Sequence, residues 1–156
     1  MKKKDITLTP LSIINSLTRF DLDPCAFEGH DTADNMYILP LNDGLKDKWF
    51  GRVWLNPPYS ETKKWIKRLS EHNNGIACVL ASTETEWFQE YVLKKANGIL
   101  FLKSRPKFLD KNFKVVNLMR GVVLVSYGKC KSLLQGSKLK GVFIELNTQL
   151  SGGTTK

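Results

Sequence analysis

Apolar residues in this chain fall into short continuous runs, and between the runs they recur at helical spacing. Short apolar runs bounded by Gly, Pro, Asn or Asp are typical of buried strands. A polar segment, residues 28–35, is predicted to be a loop, and Asp43 with Gly44 a turn. The predicted strands are residues 20–23, 36–39, 52–55, 75–81, 99–102, 122–127 and 142–146.

Three segments show helical periodicity. The first is predicted to start with Thr9 as N-cap and Pro10 at the first helical position, where a missing N–H costs nothing. The second spans about residues 60–71 with Ser60 as its cap, and the third follows Thr83 and Glu86 at capping-box spacing. Their predicted buried residues are Leu11, Ile14, Leu17, Trp65, Ile66, Leu69, Trp87, Phe88, Tyr91 and Val92.

Strands that alternate with helices predict an α/β domain whose mostly parallel sheet is covered on both faces. The 156 residues are enough for one domain, expected over residues 1–150, with a disordered tail at 151–156. Ligands of such sheets bind at the carboxyl ends of strands. Since Asp23, Asp43 and Asn56 each follow an apolar run, we expect them to line one crevice.

Composition narrows the class of protein. Hydrophobic residues make up 42% and charged residues 25%, as in soluble globular proteins. No apolar run reaches membrane-spanning length and the amino terminus lacks a signal-peptide core, so we expect a cytoplasmic protein without a membrane partner. The three cysteines, Cys25, Cys78 and Cys130, are widely spaced, which predicts neither a disulfide framework nor a metal site.

The net charge of +9 is unevenly distributed along the chain. Residues 1–45 carry a net charge of −3 and residues 46–156 a net charge of +12. A basic half favours a polyanion such as nucleic acid, although lysine also serves solubility alone. In residues 103–120, cations alternate with Phe108 and Phe113, a pattern that suits stacking and phosphate neutralisation but also occurs in solvated loops.

The strand predicted at 52–55 is followed directly by Asn56, Pro57, Pro58 and Tyr59, the sequence NPPY. A conjugated amine is a poor nucleophile, and two fixed oxygen acceptors on its N–H groups make its lone pair available. The Asn56 side-chain oxygen and the Pro57 carbonyl are candidates, since Pro57 has a locked φ and precedes another proline. Tyr59 offers a face on which a planar ring can stack. The alternative is an ordinary Asn-Pro turn.

Several segments stand in a familiar order: Thr9-Pro10, RFDLDPCA at 19–26, DGL at 43–45, VWLNPPYS at 53–60 and TETEWF at 83–88. Together they resemble the phage-type DNA N-6-adenine methyltransferases, Dam-like amino-methyltransferases with an NPPY motif. The resemblance implies an abbreviated Rossmann-like class I methyltransferase sheet, S-adenosylmethionine as methyl donor, and adenine in double-stranded DNA as flipped-out substrate. It also implies a phage or prophage origin.

The resemblance assigns candidate roles to individual residues. The catalytic residues are Asn56, Pro57, Pro58 and Tyr59, and the methyl donor is bound by Thr9, Pro10, Asp23, Pro24, Cys25, Ala26 and Asp43. Within that set, Asp43 accepts a hydrogen bond from the adenine amine of the donor. The expected DNA-binding residues are Lys63, Lys64, Arg105, Lys107, Lys111 and Lys114.

The chain departs from the pattern at the donor loop, which lacks the usual GxG. Only 19 residues separate Asp23 from Asp43, so the acid that binds the donor ribose is uncertain; Asp31 and Asp34 are the candidates. Ser82 stands where related sequences often carry arginine. Two alternatives remain open: the same chemistry on an RNA base or a protein glutamine, and a nucleic-acid-binding protein without catalysis.

Overall fold

The computed structural model describes residues 6–147, in which a seven-stranded sheet is flanked by short helices. The predicted tail at 151–156 lies outside the described residues. The helices are α1 Leu11–Leu17, α2 Thr62–His72 and α3 Lys131–Gln135, with a π-helical segment at Phe88–Leu93. The strands are β1 Phe20–Asp23, β2 Ala33–Met36, β3 Val53–Leu55, β4 Gly75–Leu80, β5 Gly98–Leu102, β6 Phe108–Leu109, β7 Val115–Val116, β8 Val122–Tyr127 and β9 Gly141–Glu145.

The strand order of the main sheet is β2-β1-β3-β4-β8-β5-β9. The first four strands are parallel, and β8 is antiparallel to both of its neighbours, β4 and β5. Hence β5 runs in the direction of the first four, while β9 is antiparallel to β5. The prediction of a mostly parallel sheet is confirmed for five strands, and the two antiparallel strands lie towards one side of the sheet.

Both faces of the sheet are covered, as predicted. On one face Trp65, Ile66 and Leu69 of α2 pack with the π-helical segment in one apolar cluster. On the other face α1 and α3 contribute to a second cluster. All six residues of β4 and all six of β8 are buried, which accounts for their largely apolar sequences. The exception is Ser126 of β8, whose hydroxyl donates to Asn97 Oδ1 at 2.9 Å.

The predicted start of α1 is wrong by one residue. The helix begins at Leu11, and Pro10 occupies the cap position without a side-chain hydrogen bond. Thr9 does not cap the helix because its side chain is turned into the protein interior, where it is 1% exposed. Its backbone carbonyl oxygen instead accepts a hydrogen bond from His30 Nε2, at 2.8 Å.

Two further helix starts also differ from the prediction. A 3₁₀ turn at Tyr59–Glu61 precedes α2, so Ser60 is not its cap, and α2 begins at Thr62. The hydroxyl of Thr62 donates to the carbonyl oxygens of the preceding turn. Before the π-helical segment, the Thr85 hydroxyl accepts the Phe88 N–H, at 3.3 Å, in place of a cap at Thr83.

The predicted basic face of α2 is only partly exposed. Lys63, Lys64 and Lys67 are exposed, whereas Arg68 is half-buried and packs over the Trp49 ring, 4.9 Å from its centroid. Arg68 also donates to the carbonyl oxygen of Gly44, at 2.6 Å. This arginine therefore fixes the segment before β3 and is not free for a partner.

Two other segments were mispredicted. The strand expected at 36–39 lies at Ala33–Met36, inside the predicted loop, because this edge strand exposes polar side chains and pairs on one side only. Residues 103–120 contain a small hairpin of β6 and β7, and Leu8 pairs with Leu109 of β6. No helix formed by residues 6–147 is both long enough and apolar enough to cross a membrane.

Candidate active site

The carboxyl ends of β1 and β3 and the turn after β2 surround two adjoining cavities. The polar cavity, of about 20 Å³, is lined by residues that include Thr9, Asp23, His30, Thr32 and Asn56. The apolar cleft, of about 440 Å³, is lined by residues that include Pro24, Ala26, Ile38, Asp43 and Leu45. Ile6, Cys25, Phe27 and Pro58 line both. The prediction that Asp23, Asp43 and Asn56 line one crevice is confirmed for Asp23 and Asn56, which share the polar cavity, whereas Asp43 lines the adjoining cleft.

Asp23 is a carboxylate buried without a cationic partner. Its side chain accepts hydrogen bonds from the Thr32 hydroxyl, at 2.5 Å, and from the Cys25 N–H, at 3.0 Å. Burial raises the pKa of Asp23 to about 6, against the lowering effect of these two bonds. Within residues 6–147 no Lys, Arg or His side chain pairs with it. The site thus holds an uncompensated negative charge at neutral pH.

Thr9 and His30 complete the polar cavity. The Thr9 hydroxyl is buried and has no hydrogen-bond partner in the described part of the chain. Burial lowers the pKa of His30, so its ring is neutral near pH 7 and carries a proton on Nε2 towards the Thr9 carbonyl. Pro10, the other residue assigned to this segment, lines neither cavity.

Asn56 has a fixed orientation. Its Nδ2 donates to the backbone carbonyl oxygen of Thr7, at 2.6 Å, which turns Oδ1 the opposite way. Among residues 6–147, no donor reaches Asn56 Oδ1 or the Pro57 carbonyl oxygen. Pro57 and Pro58 are buried, and Pro58 lines both cavities. Both oxygens that sequence reasoning selected as acceptors are thus unused.

Tyr59 follows in the 3₁₀ turn and packs against the second apolar cluster. Its hydroxyl is buried without a hydrogen-bond partner among the described residues, and burial raises its pKa. The ring is half-buried, so part of it remains accessible. A ring held in this way offers a surface for stacking, while its hydroxyl lies near the Thr7 side chain.

Asp43 lies in a tight turn on the wall of the apolar cleft. Its Oδ1 accepts the Leu45 N–H, at 2.9 Å, while no donor within residues 6–147 reaches Oδ2. The next residue must be glycine, because a Cβ on Gly44 would lie 1.8 Å from the carbonyl oxygen of Pro24. This close approach joins the donor loop after β1 to the turn that carries Asp43.

Asp31 and Asp34 do not line the cleft, and the prediction that they bind ribose is wrong. Both form exposed ion pairs with Arg19, at 2.9 and 2.7 Å. Besides Asp43, the acids that line the apolar cleft are Glu28 and Glu61. Sequence reasoning missed them because Glu28 lies in a polar loop and Glu61 in the turn that was taken as the start of a helix.

The predicted DNA-binding residues separate into two groups. Lys63 forms an exposed ion pair with Glu86, and Lys64 is exposed beside it. The remaining four are exposed in and around the β6–β7 hairpin: Arg105, Lys107, Lys111 and Lys114. Arg105 also lines a third cleft, of about 320 Å³, with Ser82, Met119 and Arg120. The part played there by Met119, which is 86% exposed, had no signal in the sequence.

Comparison with known proteins gives a consistent result. The family model of the DNA N-6-adenine-methyltransferases (Dam) matches residues 1–132. The chain is 30% identical to the DNA N-6-adenine-methyltransferase of Haemophilus phage HP1 over 148 residues, which cover 83% of this chain and 85% of the relative. It is 35% identical to the DNA N-6-adenine-methyltransferase of Escherichia phage T1 over 98 residues, with 56% of this chain and 40% of the relative covered. No solved structure matches. The chain belongs to the DNA N-6-adenine-methyltransferase family of enzymes.

Proposed function

We propose that this enzyme transfers a methyl group from S-adenosylmethionine to the N-6 amine of an adenine flipped out of double-stranded DNA. The observation that carries the proposal is that Asn56, whose Oδ1 is unused, lines the same cavity as the buried carboxylate of Asp23. The Pro57 carbonyl oxygen, directly after it in the chain, is also unused, although Pro57 lines neither cavity. The reaction would take place in the cytoplasm of the bacterial host, where the DNA is.

The topology supports a shortened Rossmann-like methyltransferase sheet. From β1 the chain passes to β2 on one side, and later to β3 on the other side of β1. In open parallel sheets, ligands bind at such a reversal of strand order, outside the carboxyl ends of the strands. Both cavities lie at this position, between Asp23 after β1 and Asn56 after β3.

The residues present fit S-adenosylmethionine. Asp23 offers an uncompensated carboxylate to a ligand with an ammonium and a sulfonium, and the Thr9 hydroxyl has no other partner. The apolar cleft suits a purine, and Asp43 Oδ2 can accept a hydrogen bond from its amine. Bound there, S-adenosylmethionine supplies an electrophilic methyl group on a positively charged sulfur.

Asn56 and Pro57 act on the base that is methylated. The N-6 amine of adenine is paired within the duplex, so the base must be extruded before it can react. Asn56 Oδ1 and the Pro57 carbonyl then accept its two N–H groups, which frees the nitrogen lone pair. Because the bond to Thr7 fixes the Asn56 amide beforehand, no reorganisation is needed when charge develops on the nitrogen.

Methylation assays with several polymers test the proposal. Incubation with tritiated S-adenosylmethionine should label duplex DNA, and nuclease digestion should yield N-6-methyladenine. RNA of the same sequence and bacterial protein extract serve as competing substrates. Label confined to RNA or to protein glutamine would overturn the choice of substrate. No label in any polymer, together with no binding of S-adenosylmethionine by calorimetry, would overturn the function itself.

Replacement of Tyr59 distinguishes its ring from its hydroxyl. Tyr59→Phe and Tyr59→Trp should retain most activity, because the hydroxyl has no partner in the described structure. Tyr59→Ala should lower kcat/KM for duplex DNA about 10- to 100-fold, the usual value of stacking one base. Steady-state kinetics at saturating donor measures all three. A large loss in Tyr59→Phe would show that the hydroxyl takes part.

Salt dependence tests the hairpin as a DNA-binding element. Replacement of Lys107, Lys111 or Lys114 by Gln should each weaken duplex binding and reduce the slope of log affinity against log salt by about one unit. Lys95, which is exposed after the π-helical segment, is the matched control, and its replacement by Gln should change neither. Fluorescence anisotropy at several salt concentrations gives the slopes. An unchanged slope in all three hairpin variants would place the DNA elsewhere.

A further inference from the structure

Phe113 stands at the tip of the β6–β7 hairpin in an unusual backbone conformation. Its φ is +61°, in the left-handed region that bulky side chains rarely adopt. The surrounding turn is tightly held: Asp110 Oδ1 accepts the N–H groups of Asn112 and Lys114, and the Phe113 N–H donates to the Asp110 carbonyl. Such strain persists only where neighbouring contacts determine the conformation.

The Phe113 ring lies on the outer side of the 27–30 loop, which directly follows the donor loop. Its centroid is 6.0 Å from that of Phe27, edge to face, and 6.2 Å from that of His30. Between them Gly29 has a φ of +86°, and a Cβ there would lie 3.4 Å from the tip of the Phe113 ring. The ring therefore contacts three of the four residues of the loop.

The inner side of the same loop forms the wall of the cavities. Phe27 and Glu28 line the apolar cleft, and Phe27 and His30 line the polar cavity. Within the loop, one backbone hydrogen bond joins the His30 N–H to the Phe27 carbonyl, at 3.1 Å. A loop with so little internal support depends on outside contacts for its position. The hydrogen bond from His30 Nε2 to the Thr9 carbonyl is one of them, and the contacts of the Phe113 ring are others that bear on this loop.

The hairpin also connects with the catalytic amide and with solvent-exposed cations. Leu8 and Leu109 exchange two backbone hydrogen bonds, at 2.7 and 2.9 Å. Directly before Leu8, the Thr7 carbonyl holds the Asn56 side chain. On the other side, Lys111 and Lys114 flank Phe113 and are exposed. One small element thus lies between the proposed DNA surface and both parts of the active site.

We propose that Phe113 is a positioning residue that holds the 27–30 loop against the cleft, so that DNA on the hairpin and S-adenosylmethionine in the cleft strengthen each other's binding. This inference rests on the proposed function. DNA bound to Lys111 and Lys114 restricts the motion of the hairpin and, through Phe113, that of the 27–30 loop. Because the loop is then already ordered, binding of the donor costs less conformational entropy. The coupling must be the same in both directions, because binding free energies are reciprocal.

Calorimetry with sinefungin measures the coupling without turnover, since this donor analogue carries an amine in place of the sulfonium methyl group. Duplex DNA should raise the affinity of the unaltered enzyme for sinefungin about tenfold, within the usual range of coupled sites. In Phe113→Ala the same duplex should raise it less than about twofold, which is below that range. Anisotropy of labelled duplex with and without sinefungin should return the same factors.

Further variants separate the ring contact from backbone strain and from folding. Phe113→Tyr keeps the ring and should keep the coupling, whereas Phe113→Gly relieves the positive φ and should still lose it. Val115→Ala removes part of an exposed apolar side chain in the same hairpin. This variant is the matched control, and its coupling should equal that of the unaltered enzyme. In Phe113→Ala, KM for the donor should rise while kcat at saturating donor stays within about twofold of the unaltered enzyme.

Two results would overturn the inference: sinefungin affinity that DNA does not change in the unaltered enzyme, or coupling that survives in both Phe113→Ala and Phe113→Gly. Neither would affect the proposed function, because that requires only donor binding and methylation of DNA. Failure of the unaltered enzyme to bind sinefungin or to methylate any DNA would instead remove the proposed function, and this inference with it.

Discussion

Asn56→Ala should lower the rate of methyl transfer to duplex DNA about 100- to 1,000-fold, the usual effect of removing one preorganised group that acts on the transition state. Affinity for S-adenosylmethionine should stay within about threefold, because an acceptor for the adenine amine makes little contact with the donor. Single-turnover kinetics gives the rate, and calorimetry gives the affinity.

Asn35→Ala is the matched control for this variant. Asn35 is an exposed asparagine whose Nδ2 likewise donates to a backbone carbonyl, that of Asp21, at 3.0 Å. Its replacement should leave the rate unchanged. Since Asn56→Ala also removes the bond to Thr7, thermal unfolding should be compared in both variants. Equal losses of donor affinity and rate in Asn56→Ala would argue against a role confined to the transition state.

Asp23→Asn should have opposite effects on stability and on donor binding. The folded protein holds the pKa of Asp23 at about 6, above its value of about 4 in an unfolded chain. The folded state therefore favours the protonated form, and this group reduces stability as pH rises from about 4 to about 6. Above pH 6 the loss is complete and amounts to about 3 kcal/mol.

An amide at this position is neutral at every pH, so the variant does not lose the stability that ionisation of the buried carboxylate costs. The Asp23→Asn protein should therefore be more stable than the unaltered protein at pH 8, by about 1 to 3 kcal/mol. Near pH 4 the advantage should vanish, because both side chains are then uncharged. Urea unfolding at the two pH values measures the difference. A variant less stable at pH 8 would show that the carboxylate has a partner in solution.

Donor binding should respond in the other direction. Asp23 carries the only charge among the described residues that line the polar cavity. Its loss should weaken S-adenosylmethionine binding to Asp23→Asn at least about tenfold at pH 8, the loss expected for a buried charge-assisted contact. For the unaltered enzyme the affinity should fall as pH drops below about 6 and Asp23 takes up a proton. A pH-independent affinity in the unaltered enzyme would contradict this role of Asp23.

The sequence predicted best those elements that are buried on both sides. The bounds of β8 match the prediction residue for residue, because all six of its residues are buried and only Ser126 among them is not hydrophobic. The edge strand β2 was misplaced since Asp34 and Asn35 face solvent there. Predicted helix starts were wrong where the residue chosen as the cap is buried in the tertiary structure. Thr9, for example, is buried beside Asp23 and does not cap α1.

The same distinction applies to the active site. The NPPY residues are contiguous, so the sequence alone was enough to propose a chemical role for them. The hydrogen bond that orients Asn56 comes from Thr7, 49 positions earlier in the chain. The contact between Phe113 and the 27–30 loop joins residues more than 80 positions apart. Local patterns carry no information on such pairs, and for that reason the ribose acids were assigned to Asp31 and Asp34, which the fold places in ion pairs with Arg19.

The hydrogen bond from Asn56 to the Thr7 carbonyl has a practical consequence for handling the enzyme. Because a main-chain oxygen makes the contact, the contact depends on the path of the segment and not on the side chain at position 7. An affinity tag or cleavage scar placed within residues 6–9 would disturb catalysis without touching a catalytic side chain. Labels for purification or immobilisation belong beyond β9, far along the chain from this anchor.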